Sequence, residues 1–212
     1  MSNSATLEAI LRRKNKWWKE KFYFSKKCPS LADTLELYQY LKLSLLDVNK
    51  WNGHTAGVSV HAELTDRYGR HVGRIAQPGD RIKMYLPRML AVLRPHDWFE
   101  VRRIEERLNG NAELFFIAIV PSTDPEADSP HVRDFPQQEW EISIFVIQDE
   151  YKVELQIHSR DSKVDLHGMN LKARIEYALD AFFIQRRYYK KQLAILLKAL
   201  VREGSSNFTN LN

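Results

Sequence analysis

The sequence predicts an α+β domain in which a curved antiparallel sheet is closed by one long C-terminal helix, from about Leu171 to Glu203. Two observations carry this reading. Between Val58 and Ile157 apolar residues return every second position in a series of short runs punctuated by turn residues, the pattern of half-buried strands. After Asn170 the spacing changes to three and four, the stripe of a helix laid on a core.

The chain has 212 residues, 44% hydrophobic and 28% charged, enough for one domain with a core of its own. Its formal charge is +5 and its pI about 9.2. The excess sits in the first 21 residues, where Arg12, Arg13, Lys14, Lys16, Lys19 and Lys21 face only Glu8 and Glu20. We therefore divide the chain into a basic extension over 1–21, partly helical, a domain over 22–203 and a disordered tail over 204–212. Cys28 is the only cysteine, which excludes an internal disulfide and fits a cytoplasmic, bacterial-type setting. No stretch approaches the ~20 uninterrupted apolar residues of a membrane span.

Taken in order, Ala5 to Lys16 suits a short helix, with Leu7, Ile10 and Leu11 on one side, running into Trp17 and Trp18. Phe22-Tyr23-Phe24 prefers a strand, which Pro29 stops. Ser30 followed by Asp33 reads as an N-cap with an acidic first turn, and Leu31, Leu35, Tyr38, Leu41 and Leu45 place a helix over about 31–48, ending near Trp51-Asn52-Gly53. Val58, Val60, Ala62 and Leu64 alternate as a strand, and Ile82, Met84 and Leu86 as another, with turns at Asp66-Arg67-Tyr68-Gly69 and Pro78-Gly79-Asp80. Strands follow at 98–107 and 112–120. The second, apolar on both faces from Leu114 to Val120, is expected to be central and covered on each side. The polar stretch Pro121–Pro136, with four prolines, is expected to be a loop.

Trp140, Ile142, Ile144 and Val146 answer Tyr151, Val153, Leu155 and Ile157 across Gln148-Asp149-Glu150, a hairpin. Ser159 to Met169 is read as irregular. On the last helix Leu171, Ile175, Ala178, Leu179, Phe182, Tyr189, Leu193, Leu196, Leu197 and Leu200 form the inward stripe, and Gly204 closes it as a C-cap. At 1.5 Å per residue this helix spans roughly 50 Å, so that one end is expected to project or to meet a second chain.

The order of elements, together with Ser25-Lys26-Lys27-Cys28-Pro29-Ser30, the helix through Leu35, Tyr38 and Leu41, and Asn49-Lys50-Trp51, resembles the helix-grip architecture of the START-like (SRPBCC) superfamily over about residues 22–203. That resemblance implies a cavity between sheet and helix holding a small apolar molecule. The inward faces that would line it include Met84, Phe99, Ile142, Ile144 and Leu155 on the sheet and Phe182, Arg186 and Tyr189 on the helix; the same set can also pack solid.

Arg186 interrupts the apolar stripe, where a guanidinium either anchors an anion, pairs with a glutamate or reaches water. Tyr177, Ile184, Tyr188 and Ile195 make a second apolar line, a surface for a homodimer or for the N-terminal helix. The seven histidines show no metal-ligand spacing, and neither a nucleophile motif nor a phosphate-binding loop is present, so we expect no metal or cofactor. His61 with Glu63, and His158, sit on the nominally polar faces of strands.

The function expected from these residues is binding or carriage of a small apolar or amphipathic ligand, more simply than catalysis. A cyclase- or hydrolase-like enzyme in the same cavity is one alternative. Nucleic-acid or polyanion binding through the basic arm, with Arg102-Arg103 and the cluster from Arg186 to Lys191, is another.

Overall fold

The computed structural model describes residues 18–55, 61–85, 96–109, 112–125, 140–161 and 185–209. The helix expected over 5–16 lies outside them. Strand β1 is Trp18–Lys27, longer than its aromatic centre suggested, because Phe22 and Phe24 recur at the spacing that faces one side of a sheet. Cys28 and Pro29 end it. Helix α1 follows over Leu31–Leu46, and Ser30 caps it as expected, its Oγ accepting from Asp33 N at 3.1 Å. A 3-10 turn over Val48–Lys50 leads into the short α2, Trp51–His54, whose buried Trp51 donates Nε1–H to the Ser44 carbonyl at 3.2 Å.

Six strands follow: β2 Ala62–Thr65, β3 Arg81–Tyr85, β4 His96–Asn109, β5 Ala112–Ser122, β6 Trp140–Asp149 and β7 Lys152–Asp161. They join β1 in one antiparallel, curved sheet of order β1-β7-β6-β5-β4-β3-β2. β1 therefore crosses to the far edge and pairs with β7, Phe22 opposite Ile157 and Phe24 opposite Leu155. The chain ends in α3, Gln185–Thr209. A sheet of this order with the last helix laid across it is the helix-grip architecture expected from the sequence.

Between β2 and β3 both expected turns form. Gly69 and Gly79 take φ of 87° and 90°, a region open to glycine without strain. Asp66 accepts from the amides of Tyr68 and Arg70 at 2.8 and 3.0 Å. β5 is buried on both faces from Leu114 to Val120, as its composition required.

Several boundaries differ from the sequence reading. β5 runs on through Pro121 and Ser122, with Pro121 opposite Phe99. Pairing with β6 stops at Ile119, so the proline sits where only one neighbour flanks the strand. The β6–β7 turn is two residues, Glu150 and Tyr151, with Glu150 left-handed at φ 49°, while Gln148 and Asp149 stay in the ladder. Ser159, read as the start of an irregular stretch, continues β7 to Asp161. The start of the last helix, expected near Leu171, lies outside the described residues. At its other end Gly204 does not cap α3. The helix passes through it to Thr209, because a residue without a side chain is needed where α3 presses on α1: a Cβ there would lie 2.6 Å from Leu37 Cδ1 and 2.8 Å from Tyr40 Cδ1.

The core lies between the inner face of the sheet and the helices. Leu37, Tyr38, Leu41 and Leu45 of α1 and Leu193, Leu196, Leu197 and Leu200 of α3 are wholly buried there. That row of four leucines is the described part of the expected stripe, whose members from Leu171 to Phe182 lie outside the described residues.

Candidate functional site

Strand alternation sorts every inward residue into rows that cross the sheet. One row runs Phe24, Leu155, Val146, Phe115; the next Phe22, Ile157, Ile144, Ile117; the third Glu20, Ser159, Ile142, Ile119, Val101. Beyond the irregularity between Val101 and Arg103 in the β4–β5 pairing, Phe99 pairs with Ile82 and Ile82 with Leu64, and Met84 pairs with Ala62. The result is a continuous apolar surface.

Of the residues expected to line a site, Met84, Phe99, Ile142, Ile144 and Leu155 all fall on this surface, each 1% exposed and in the same core as the leucines of α1 and α3. Phe182 lies outside the described residues. Arg186 and Tyr189 are on the described backbone of α3, their side chains outside the description. In the second apolar line, Ile195 is exposed at 42%. Tyr177 and Ile184, and the side chain of Tyr188, fall outside what is described.

Besides Glu113, opposite Gln148 near the end of the ladder, three polar groups interrupt the inner face. Glu106, in line with Phe115, accepts from Tyr38 Oη at 3.1 Å and from Lys42 Nζ at 2.7 Å. The bond from Lys42 holds the Glu106 carboxyl below the usual carboxylate range. Burial, and then the charge of Glu106, push the Tyr38 hydroxyl well above the ordinary tyrosine value. Gln148 donates Nε2–H to the Glu150 carbonyl at 3.3 Å, and its buried Oε1 has no partner among the described residues. Ser159 is the third: fully buried, with no hydrogen-bond partner for Oγ.

Sequence reasoning missed all three. The signal for Ser159 was present, since the alternation Val153, Leu155, Ile157 points the next odd residue inward, but it was lost by ending the strand two residues early. Nothing local to Glu106 marks it, because its partners are 64 and 68 residues away. Lys190, one turn before Leu193 on α3, is another buried polar group within the helix that the stripe did not flag.

The suspected acid–base pair is arranged otherwise. Glu63 accepts from Tyr85 Oη at 3.1 Å and meets His71 Nδ1 at 3.1 Å, while the ring of His61 stands edge-on to Tyr85, centroids 4.7 Å apart. His158 is buried, not exposed, on the outer face of the sheet, with Nε2 2.9 Å from Gln156 Oε1 and its ring against Phe145. Beside it, on the same face, β5 and β6 carry a second buried apolar cluster of Leu114, Phe116, Ala118, Phe145 and Ile147.

At the far end of α3, Glu203 accepts from Tyr40 Oη at 3.0 Å and meets His54 Nδ1 at 2.7 Å, tying α1, α2 and α3 together. Arg103 of the exposed Arg102-Arg103 pair is engaged with Glu141 at 3.2 Å. Among the described residues no group of three histidine, cysteine or acidic side chains could hold a metal ion, and no described helix is long and apolar enough to cross a membrane.

No protein-family model and no curated sequence matches the chain. Among solved structures, a hypothetical protein, jhp0584, from Helicobacter pylori is similar over 87% of this chain and 86% of its own, at 13% identity and a TM-score of 0.44. The structure of Ara h 8.0201 is similar over 88% of this chain and 98% of its own, at 11% identity and 0.40. That of the Zhui aromatase/cyclase from a Streptomyces species is similar over 88% and 93%, at 11% and 0.39.

Proposed function

We propose that the chain binds or carries a small apolar or amphipathic molecule between the inner face of its sheet and its helices. The observation that carries this reading is the composition of that face: apolar rows continuous across the strands, broken only at a few fixed positions by groups able to hydrogen-bond. Ligand sites combine apolar walls with a small number of placed polar groups in the same way. Carriage fits better than catalysis, because Glu106, a charged group on this face, is engaged by Tyr38 and Lys42 rather than available to a substrate.

Native mass spectrometry of the protein purified from cells tests the reading. The expected result is a fraction of molecules carrying extra mass of lipid or small-molecule size, released on denaturation. Bare protein, together with no uptake of apolar fluorophores added at micromolar concentration, would sink it.

A further inference from the structure

We propose that Ser159 is the hydrogen-bonding anchor of this site, and that its ligand presents a hydroxyl or carbonyl group on an otherwise apolar frame. The inference rests on the ligand-binding reading above and adds the chemistry of what is bound.

A fully buried hydroxyl with no partner disfavours folding, and proteins seldom keep one without a use. Register fixes where this one points. Ser159 stands opposite Ile142 in the ladder and follows Ile157 by two residues, so its Oγ lies on the inner face in the row that continues through Ile119 and Val101. It is the smallest side chain of that row, so the surface is lowest where its single polar atom stands. A hydroxyl both donates and accepts, and so pairs equally with an alcohol or a carbonyl. An anionic group would be poorly served there, because Ile142, Ile119 and Val101 on one side of Ser159 are aliphatic and Glu20 holds the register position opposite it on β1.

The test uses the full chain and two fluorescent probes of one shape, 2-naphthol and 2-methylnaphthalene, titrated against wild type, Ser159→Ala and Ser159→Thr. We expect Ser159→Ala to weaken 2-naphthol about tenfold, the loss of one hydrogen bond, and to change 2-methylnaphthalene less than about twofold. Ser159→Thr, which keeps the hydroxyl, should retain the preference for 2-naphthol. Equal effects on both probes, or none on either, overturn the role of Ser159 while leaving the ligand site standing. Failure of the wild type to bind either probe removes the site, and the anchor with it. Ligand-free Ser159→Ala should melt no lower than wild type; a marked fall would mean that the hydroxyl serves the fold, and would also overturn the proposal.

Discussion

Asp80 shows how much one buried carboxylate can organise. Its oxygens accept from both terminal nitrogens of Arg74, at 2.6 and 2.8 Å, and from the Gln77 amide at 2.8 Å, and its carbonyl accepts from Val101 N at 2.8 Å. Replacing it leaves a buried amide and a guanidinium without partners, so Asp80→Ala should lower stability by about 2–4 kcal/mol in urea unfolding. A loss below about 1 kcal/mol would mean that the turn is held by Gly79 and Pro78 alone. Tyr40 makes a prediction in pH. Burial first, and then its bond to Glu203, raise its hydroxyl from the ordinary value near 10 to about 12. The folded state thus resists ionising Tyr40, and the stability this represents is complete below pH 10 and is lost as pH rises from about 10 to about 12. Unfolding free energies should fall less steeply across that window in Tyr40→Phe than in wild type. At this scale the sequence announces a turn at Asp80 but not its clasp by Arg74, since a turn is a local preference and the choice of ion-pair partner is not.

Helices and hairpins fit their neighbours by details that periodicity does not contain. Alanine in place of a helical glycine ordinarily adds up to about 1 kcal/mol of stability. Gly204→Ala in α3 should do the opposite, lowering stability by about 1–3 kcal/mol, because its methyl group meets Leu37 and Tyr40 inside normal contact distance. An unchanged or raised melting temperature would show that α1 and α3 can separate at no cost. The β6–β7 hairpin offers the reverse case. Glu150 holds a left-handed backbone that disfavours a side chain, so Glu150→Gly should gain about 0.5–1 kcal/mol. A sequence reader takes Gly204 for a cap and Gln148-Asp149-Glu150 for the turn because both are composition signals. Which glycine sits against another helix, and which residue of three takes positive φ, depend on packing and ladder register.

For the molecule as a whole, the alternation of apolar residues made the sheet legible, and the five expected site residues whose side chains are described, Met84, Phe99, Ile142, Ile144 and Leu155, lie together on its inner face. Strand order was not legible, because no local pattern tells β1 to pair with β7. The polar exceptions on the inner face were missed, since a strand face is recognised by what repeats, and only Ser159 could have been found by carrying the alternation of β7 further. If the protein leaves cells loaded, removing its cargo by unfolding and refolding should cost stability in proportion to occupancy, about 2.7 kcal/mol for a ligand at a hundred times its dissociation constant. Thermal melts of stripped and unstripped protein that coincide would argue that nothing was carried. The same β1–β7 pairing also sets an order of events during synthesis. Tyr23 donates to Glu154 across 131 positions, and at roughly 5–20 residues per second the ribosome needs on the order of 10 s to deliver that partner. For that interval an aromatic strand has left the ribosome with no mate, and Lys26 and Lys27 at its end become guards against pairing with a neighbouring nascent chain.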